Sequence, residues 1–164
     1  MVFVKIMETV VTCLLIVMIT AAFFAYLYLD FKKSRMEREW AAWPCPFPAD
    51  GGYTEYDTGK LFQEYKAAQE ENRLLAKERY EGKKVILKGA VTWIGSNGDI
   101  DIKSIGGDGE KYVSCLTGKN EKVLDVVKRL TRDESAVCVK GQIVPGERLT
   151  IRIDDMIKYE APNS

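Results

Sequence analysis

The sequence predicts a mainly β domain that follows a single apolar helix, and three observations support this fold class. The residues from 9 to 29 contain no charge, which is typical of a membrane-spanning helix. Between residues 85 and 157, five short runs carry the alternation or the apolar content of strands, with glycine-containing turns between several of them. A run with helical periodicity separates the third strand-like run from the fourth, so the order is β-β-β-α-β-β.

Composition limits the function before any motif is considered. The chain has 164 residues and is 46% apolar, enough for one packed domain. Its 24 basic and 24 acidic residues cancel, which disfavours a globally basic nucleic-acid binder. The sequence contains no histidine, which excludes Ser-His-Asp and Cys-His catalysis and histidine-ligated zinc. We therefore expect a non-enzymatic protein without a cofactor or a bound metal.

The N-terminal segment, residues 1–30, is predicted to be a retained single-pass membrane anchor. As a helix, residues 9–29 would be roughly 30 Å long, the thickness of a hydrocarbon core. Tyr26 and Tyr28 lie at its end, where aromatic rings favour the membrane interface. A cleaved signal peptide is the alternative, but its apolar region usually has about 7–15 residues and is followed by small residues.

The charges that flank the apolar run predict its orientation. Lys32, Lys33, Arg35 and Arg38 follow the run, whereas Lys5 and the terminal amine precede it. The positive-inside rule therefore favours a cytoplasmic carboxyl domain, by a margin of about two charges.

Residues 31–53 are predicted to be a juxtamembrane basic segment and a proline-rich linker. The stretch 31–43 either extends the helix or lies along the membrane surface, and two glutamates dilute its positive charge, which favours an ordinary polar stalk. Three prolines within residues 44–48 then give a stiff, extended spacer. Cys45 lies in this spacer, where we expect it to be exposed.

The soluble domain, residues 54–160, is predicted to begin with an amphipathic helix. Apolar and small residues recur every three to four positions along residues 61–80, and Gly82 follows as a helix stop. Gly89 lies within the first predicted strand and indicates a bulge or a tight bend, as small barrels require. The five strands are predicted at residues 85–94, 99–105, 110–116, 135–144 and 149–157, with a helix at 121–130.

This order, with the helix between the third and fourth strands, is that of the oligonucleotide/oligosaccharide-binding barrel, the OB-fold. Closure of five strands into a barrel also removes exposed sheet edges. An open α+β sheet is the alternative.

From about residue 53 to 159 the chain resembles the tRNA_anti-like family of bacterial OB-fold domains. The resemblance rests on the segments LFQEYKAAQEENRLLAKERYEGKKV, VILKGAVTWI with Gly89, YVSCL with Cys115, AVCVKGQI with Gly141, and LTIRIDDMIKY. It implies an OB-fold that is attached to the bacterial cell membrane or exported, and it implies no catalytic residue and no established substrate. Export would disagree with the orientation that the flanking charges favour.

The candidate ligand-binding residues lie on the face that OB-folds use, formed by the second and third strands and the loops 1–2 and 4–5. They are Trp93, Lys103, Tyr112, Arg148 and Arg152. Several aspartates lie nearby in the sequence, so the groove is not clearly positive. We expect a binding or adaptor protein for an unidentified protein or small ligand. A single-stranded nucleic-acid binder is the alternative, and it requires exposed Trp93 and Tyr112 beside Lys103 and Arg148.

The four cysteines are predicted to be unpaired. Cys115 faces the core of the predicted third strand, whereas Cys138 faces outward on the fourth, and these two strands are not neighbours in an OB-fold. We therefore expect no bridge between them. Free thiols fit a reducing compartment.

The acidic residues provide no clear metal or catalytic site. Asp99, Asp101 and Asp108 lie near glycines but lack the ligand spacing of a calcium loop. An enzyme would need a converging acid pair such as Glu147 and Asp154, because no histidine is available.

Overall fold

The computed structural model describes residues 2–107, 111–144 and 146–160, and the side chains from Val10 onward within those ranges. Two compact units make up the chain, Met1–Glu39 and Trp40–Ser164.

Most of helix α1 (Val2–Ala42) lies in the first unit. The stretch Val10–Ala42 is long and apolar enough to cross a membrane. Its large apolar side chains are mostly exposed, including those of Leu14, Phe24 and Tyr28. A contiguous apolar surface of this kind is typical of a membrane or protein contact. The predicted apolar N-terminal helix is confirmed, and it fits a membrane anchor or a signal sequence.

Helix α1 does not end with the apolar run. It continues through charged residues to Ala42, and Pro44 follows shortly after. Arg35 and Glu39 form an ion pair of 3.0 Å one turn apart on this part of the helix. Of the two conformations open to residues 31–43, the structure has the helical extension. Its last residues, from Trp40, belong by their contacts to the second unit.

The second unit contains six strands and three helices within the described ranges. In chain order these are β1 (Thr54–Asp57), α2 (Thr58–Glu71), α3 (Arg73–Tyr80), β2 (Lys84–Ile94), β3 (Ile100–Lys103), β4 (Tyr112–Leu116), α4 (Glu121–Val127), β5 (Ala136–Val144) and β6 (Thr150–Lys158). The strands form one mixed sheet of order β1-β2-β3-β4-β6-β5, with a further pairing between β2 and β5.

Strand β1 is the strand that the sequence does not predict. It has four residues, and only Tyr56 among them is partly buried, so it shows no apolar alternation. It pairs in parallel with β2, and the helices α2 and α3 form the crossover between the two strands. The prediction of five strands is therefore corrected to a sheet of six.

The long strand β2 pairs with two neighbours. Its first part, Lys84 to Ala90, pairs with β5, and its last part, Ala90 to Ile94, pairs with β3. At Gly89 a Cβ atom would lie 2.7 Å from the carbonyl oxygen of Lys103. Glycine is thus required at this position because the backbone of β3 lies directly against it.

The single predicted helix over residues 61–80 is two helices. The break is at Asn72, whose side-chain oxygen accepts hydrogen bonds from the backbone amides of Leu74 (2.9 Å) and Leu75 (3.4 Å). An asparagine side chain competes with helical backbone bonds and caps a new N-terminus, which periodicity alone does not reveal.

All three helices contribute to the same core as the inward side chains of the sheet. Leu61 and Tyr65 come from α2, Tyr80 comes from α3, and Val123 and Val127 come from α4. The rings of Tyr65 and Tyr80 meet edge to face with centroids 5.4 Å apart. The helices therefore pack on the sheet.

Candidate ligand-binding face

The outward side chains of β2, β3 and β4 form the surface on which four of the predicted ligand-binding residues meet. Inward residues of β3 and β4 such as Ile102 and Val113 are fully buried, and the residues between them face outward and are partly exposed. We call this surface the outer face, and its central side chains are those of Trp93, Asp101, Lys103, Tyr112 and Ser114.

Trp93 lies opposite Asp101 in the β2–β3 register and is 47% exposed. A β-bulge between Val91 and Trp93 turns the indole outward, whereas regular alternation from the buried Val91 would have turned it inward. A Cβ atom at Gly95 would lie 2.5 Å from the indole Cη2. The indole therefore lies over Gly95, and the absence of a side chain there makes room for it.

Lys103, Tyr112 and Arg148 lie together, and Lys103 is two residues along β3 from Asp101, the register partner of Trp93. Lys103 and Tyr112 are direct cross-strand partners. The guanidinium of Arg148 lies 5.9 Å from the centroid of the Tyr112 ring, within the range of a cation–π contact. Three of the predicted residues thus form one aromatic and basic cluster.

Arg152 lies apart from this cluster. It is on β6, in register with Leu116 on one side and Gln142 on the other. Its Nη2 donates a hydrogen bond of 3.0 Å to Oε1 of Gln142. The structure therefore brings Trp93 and the basic cluster to the outer face and places Arg152 further along the sheet.

A polar row crosses the outer face, and sequence reasoning did not include it among the site residues. Asp101 pairs with Trp93 and with Ser114, and Ser114 pairs with Thr150 of β6. The Ser114 hydroxyl donates a 2.8 Å hydrogen bond to Oδ1 of Asp101. Alternation in each strand marks these residues as outward, but only the register between strands aligns them with Trp93.

A cavity of about 250 Å³ adjoins the basic cluster between α2 and the β5–β6 loop. The Tyr65 hydroxyl closes one side, because it donates to the Gly146 carbonyl (2.9 Å) and accepts from the Gly146 amide (3.2 Å). The cavity is lined by Phe62, Tyr65, Lys66, Gln69, Tyr112, Glu147, Arg148 and Leu149.

The predicted linker supplies the partner of Cys138. Cys45 and Cys138 form a disulfide with Cα atoms 5.8 Å apart, and Cys138 is fully buried. The prediction of four free thiols is therefore wrong, and Cys13 and Cys115 are the free cysteines. Cys138 does point away from the core cluster, as predicted, but residues 40–53 lie against that side of the sheet. We call residues 40–53 the strap.

The strap is held at its start by a buried side chain and a lysine. Trp40 is 5% exposed. The Lys88 ammonium donates hydrogen bonds of 2.8 Å to the carbonyl oxygens of Ala41 and Trp43. A cation at the carbonyl end of a helix is also favoured by the helix dipole. The Trp43 ring packs edge to face on Tyr159 at 5.4 Å.

The end of the strap is held by polar contacts around Tyr53. The Tyr53 hydroxyl donates a 2.7 Å hydrogen bond to Asp154, and the Lys140 ammonium lies 4.4 Å from the ring centroid. Lys140 also pairs with Asp50 at 3.3 Å. The hydrogen bond to Asp154, together with partial burial, raises the pKa of Tyr53 to about 12.

The free thiol of Cys115 has no nucleophilic character. Burial raises its pKa, and the negative charges of Asp101 and Asp99 raise it further. A thiol that stays protonated and fully buried behaves as an apolar core residue. The prediction that Cys115 is a core residue is confirmed.

Two of the acidic residues considered in the sequence, Asp99 and Asp154, accept hydrogen bonds from distant parts of the chain. Asp99 Oδ1 accepts from the Thr117 amide at 2.9 Å, and Asp154 accepts from Tyr53. Within the ranges that the structure describes, no group of three Cys, Asp or Glu residues could hold a metal ion. Asp108 lies outside those ranges.

Comparison with known proteins bears on the fold. No family model and no curated protein sequence matches the chain. The structure is similar to a "putative nucleic acid-binding lipoprotein" from Klebsiella pneumoniae subsp. pneumoniae MGH 78578, with a TM-score of 0.50 and 18% identity over 70% of this chain and 100% of that chain. At this identity the likeness shows the fold alone.

Two other solved structures show a weaker likeness. They are the OBody AM1L10 bound to hen egg-white lysozyme (TM-score 0.41, 20% identity, 52% of this chain and 85% of that chain) and yeast Stn1 and Ten1 (TM-score 0.39, 10% identity, 71% and 66%). The resemblance to the tRNA_anti-like family is not supported by a family model and stays a prediction.

Proposed function

We propose that this chain is a non-enzymatic, membrane-tethered OB-fold protein that binds its partner on the outer face. The observation that carries the proposal is the exposed indole of Trp93 on the same surface as the Lys103, Tyr112 and Arg148 cluster. An exposed tryptophan that is positioned by its neighbours is typical of a binding surface, since large aromatic side chains dominate recognition.

The barrel is supported by the pairing of the strands. Strand β2 pairs with β3 and β5, while the pairs β3–β4, β4–β6 and β6–β5 connect the remaining strands. These five pairings complete a circuit, as in a closed OB barrel, with α4 between its third and fourth strands. Strand β1 then lies outside the circuit as an addition to β2.

Tethering is supported by the length and exposure of the apolar helix. Residues 9–29 match the thickness of a hydrocarbon core, and the bulky residues at the end of the run are unlike a signal-peptidase site. The Klebsiella protein of similar fold is named a lipoprotein, which agrees with membrane attachment.

The disulfide supports a location of the second unit outside the cytoplasm. Disulfides persist in oxidising compartments and are rare in the cytosol, where thiols are kept reduced. The Cys45–Cys138 bond thus weighs against the cytoplasmic orientation that the flanking charges favour by about two charges. It agrees instead with the resemblance to exported domains.

A second candidate function is binding of single-stranded nucleic acid. It is favoured by the exposed indole of Trp93 on the same face as Lys103 and by the exposed Arg148, while Tyr112, which this function also requires to be exposed, is half-buried. The name of the Klebsiella protein points the same way. Binding of this kind would weaken steeply with salt, because released counterions drive it.

The proposal is tested by photo-crosslinking in intact bacteria that produce the full-length chain. Trp93 is replaced by p-benzoylphenylalanine, which keeps an aromatic group on the outer face, and the control places the same residue at exposed Glu78 on α3. We expect a crosslinked species from position 93 and none from position 78. Crosslinks of equal yield from both positions, or none from position 93, would contradict the proposed face.

A further inference from the structure

We infer that the end of β6 binds an extended peptide segment of a partner protein, which pairs with it as an added strand. The binding site is the side of residues 156–158 that faces away from β5, which we call the free edge. It shares no residue with the outer face. The inference goes beyond the proposed function, because it assigns a second binding surface and the kind of partner that this surface fits.

Strand β6 has a neighbour on both sides only along its first part. Strand β4 pairs with it from Thr150 to Arg152, whereas β5 pairs with it as far as Lys158. Where β4 has ended, the Asn120 side chain donates a 2.9 Å hydrogen bond to the Asp154 carbonyl. Within the described residues, no strand pairs with this side of β6 beyond that point. A strand edge of this kind is a template for pairing with another chain.

The register shows which backbone groups point to the free edge. The Tyr159 amide donates a 2.9 Å hydrogen bond to the Ala136 carbonyl, so these two residues form a hydrogen-bonded pair. Such pairs alternate with unbonded pairs along antiparallel strands. The backbone groups of Ile157 therefore face β5, whereas the amides and carbonyls of Met156 and Lys158 face the free edge.

Three of these four backbone groups remain for a partner. Oδ1 of Asp155 accepts a 2.9 Å hydrogen bond from the Met156 amide, which occupies that donor. Within the part of the chain that the structure describes, no hydrogen bond engages the Met156 carbonyl or the amide and carbonyl of Lys158. An added strand pairs with all three groups, and such main-chain hydrogen bonds provide the affinity in strand addition.

A cavity of about 430 Å³ adjoins the free edge. Trp43 and Pro46 of the strap line one part of it, Val126 of α4 lines another, and Ile157, which is 37% exposed, lies on β6. The strap is fixed here, because Cys45 between Trp43 and Pro46 is in the disulfide. In strand addition, pockets for alternate side chains provide the specificity. We therefore expect an apolar side chain of the peptide in this cavity.

The charges around the cavity favour an acidic residue of the peptide near Lys158. Arg129 pairs with Glu160 at 3.7 Å, so these two charges largely offset each other. The Lys158 ammonium donates a 2.6 Å hydrogen bond to the Arg129 carbonyl, which leaves two of its three donors for a carboxylate. The other charged residues nearby have partners, Asp155 in a backbone amide and Asp125 in Lys128.

The experiment selects from a phage-displayed library of random peptides on the full-length chain in lipid nanodiscs. We expect peptides in which apolar and polar residues alternate and an acidic residue is present. Methylation of one alternate set of backbone nitrogens in a selected peptide should abolish binding, whereas methylation of the other set should not. This difference arises because only every second residue of an added strand faces its neighbour.

Two variants of the chain test the free edge itself. Lys158→Pro removes the edge donor without removing a hydrogen bond to β5, and proline is accepted at such positions. It should weaken binding about tenfold, which corresponds to about 1.4 kcal/mol. The matched control Lys158→Gln keeps the amide and should weaken binding less. Ile157→Ser, which removes the apolar side chain at the cavity, should also weaken binding.

Urea denaturation of each variant separates a loss of binding from a loss of folding, and Glu78→Gln on α3 should bind as the unaltered chain does. The inference is wrong if no peptide is selected, or if the selected peptides bind Ile157→Ser and Lys158→Pro as tightly as the unaltered chain. Binding that is lost in Trp93→Ala but kept in Ile157→Ser would assign the peptide to the outer face. That result would overturn the free edge as the site and leave the proposed function standing.

Discussion

Cys45 and Cys138 lie 93 residues apart in the sequence and form a disulfide with 5.8 Å between their Cα atoms. The bond joins the strap to β5, and it makes residues 40–53 part of the folded unit rather than a free spacer. The contacts of Trp43 with Tyr159 and of Tyr53 with Asp154 hold the same segment on either side of the bond. The strap is therefore fastened at several points along its length.

Loss of the disulfide should destabilise the second unit. Cys45→Ala removes a cross-link that closes a long loop, and we expect its free energy of unfolding to fall by about 2–4 kcal/mol. Urea denaturation of the full-length chain in detergent, with and without reductant, measures this. The unaltered chain should lose stability on reduction, whereas Cys45→Ala should not respond. Equal midpoints for the oxidised and reduced unaltered chain would contradict the account.

Lys88 should stabilise the start of the strap. Lys88→Met keeps an unbranched side chain but removes the ammonium that binds the carbonyls of Ala41 and Trp43. Because hydrogen bonds to charged groups contribute about 1.5–3 kcal/mol, we expect a loss of roughly 2 kcal/mol in the same denaturation assay. Lys122→Met is the control, since Lys122 is an exposed lysine on α4. An equal effect of the two substitutions would show that the Lys88 contacts contribute nothing specific.

Tyr53 should make the stability of the unit decrease at alkaline pH. Its folded pKa is raised to about 12 from an ordinary value of 10.0, because the protonated hydroxyl donates to Asp154. Above pH 10 the unfolded chain therefore releases a proton that the folded chain retains, and stability is lost as pH rises through about 12. Denaturation midpoints measured from neutral to alkaline pH should fall less for Tyr53→Phe than for the unaltered chain. Parallel curves would exclude this role for the hydroxyl.

Gly89 should not tolerate a side chain. In Gly89→Ala the Cβ atom would lie 2.7 Å from the Lys103 carbonyl oxygen and 3.0 Å from the Ile102 Cβ. Overpacking of this kind costs about 1–3 kcal/mol, and the thermal midpoint should decrease accordingly. Gly146→Ala is the matched control, because its nearest neighbour, the Arg148 oxygen, lies at 3.7 Å. A wild-type midpoint for Gly89→Ala would mean that β2 and β3 approach each other less closely.

Much of this fold is predictable from local patterns. Alternation along β3 and β4 identifies inward and outward residues, and the uncharged run identifies α1. The break at Asn72 and the strand β1 were missed, because a capping side chain leaves the helical period intact and β1 has no apolar alternation. The cap at Asn72 is local in the sequence, whereas β1 depends on its pairing with β2, about 30 residues away.

The candidate site was predictable residue by residue but not as an arrangement. Lys103 and Tyr112 are recognisable from alternation as outward residues, whereas the exposure of Trp93 depends on the β-bulge that precedes it. Their neighbours Asp101, Ser114 and Thr150 emerge only from the strand register. The pairing of Cys45 was missed for a related reason. A proline-rich segment is typical of an exposed spacer. Its sequence does not indicate that it packs on β5, where Cys45 is bonded to Cys138.

The measurement that tests the central claim most directly is the thiol state of the full-length chain in intact bacteria. Cells are quenched with acid and the chain is alkylated with a mass-adding maleimide, before and after reduction, under denaturing conditions. An anchored domain outside the cytoplasm predicts labelling of Cys13 and Cys115 alone before reduction, and of Cys45 and Cys138 in addition after reduction. Labelling of all four cysteines without reduction would contradict the disulfide. It would also contradict the proposed location of the second unit outside the cytoplasm.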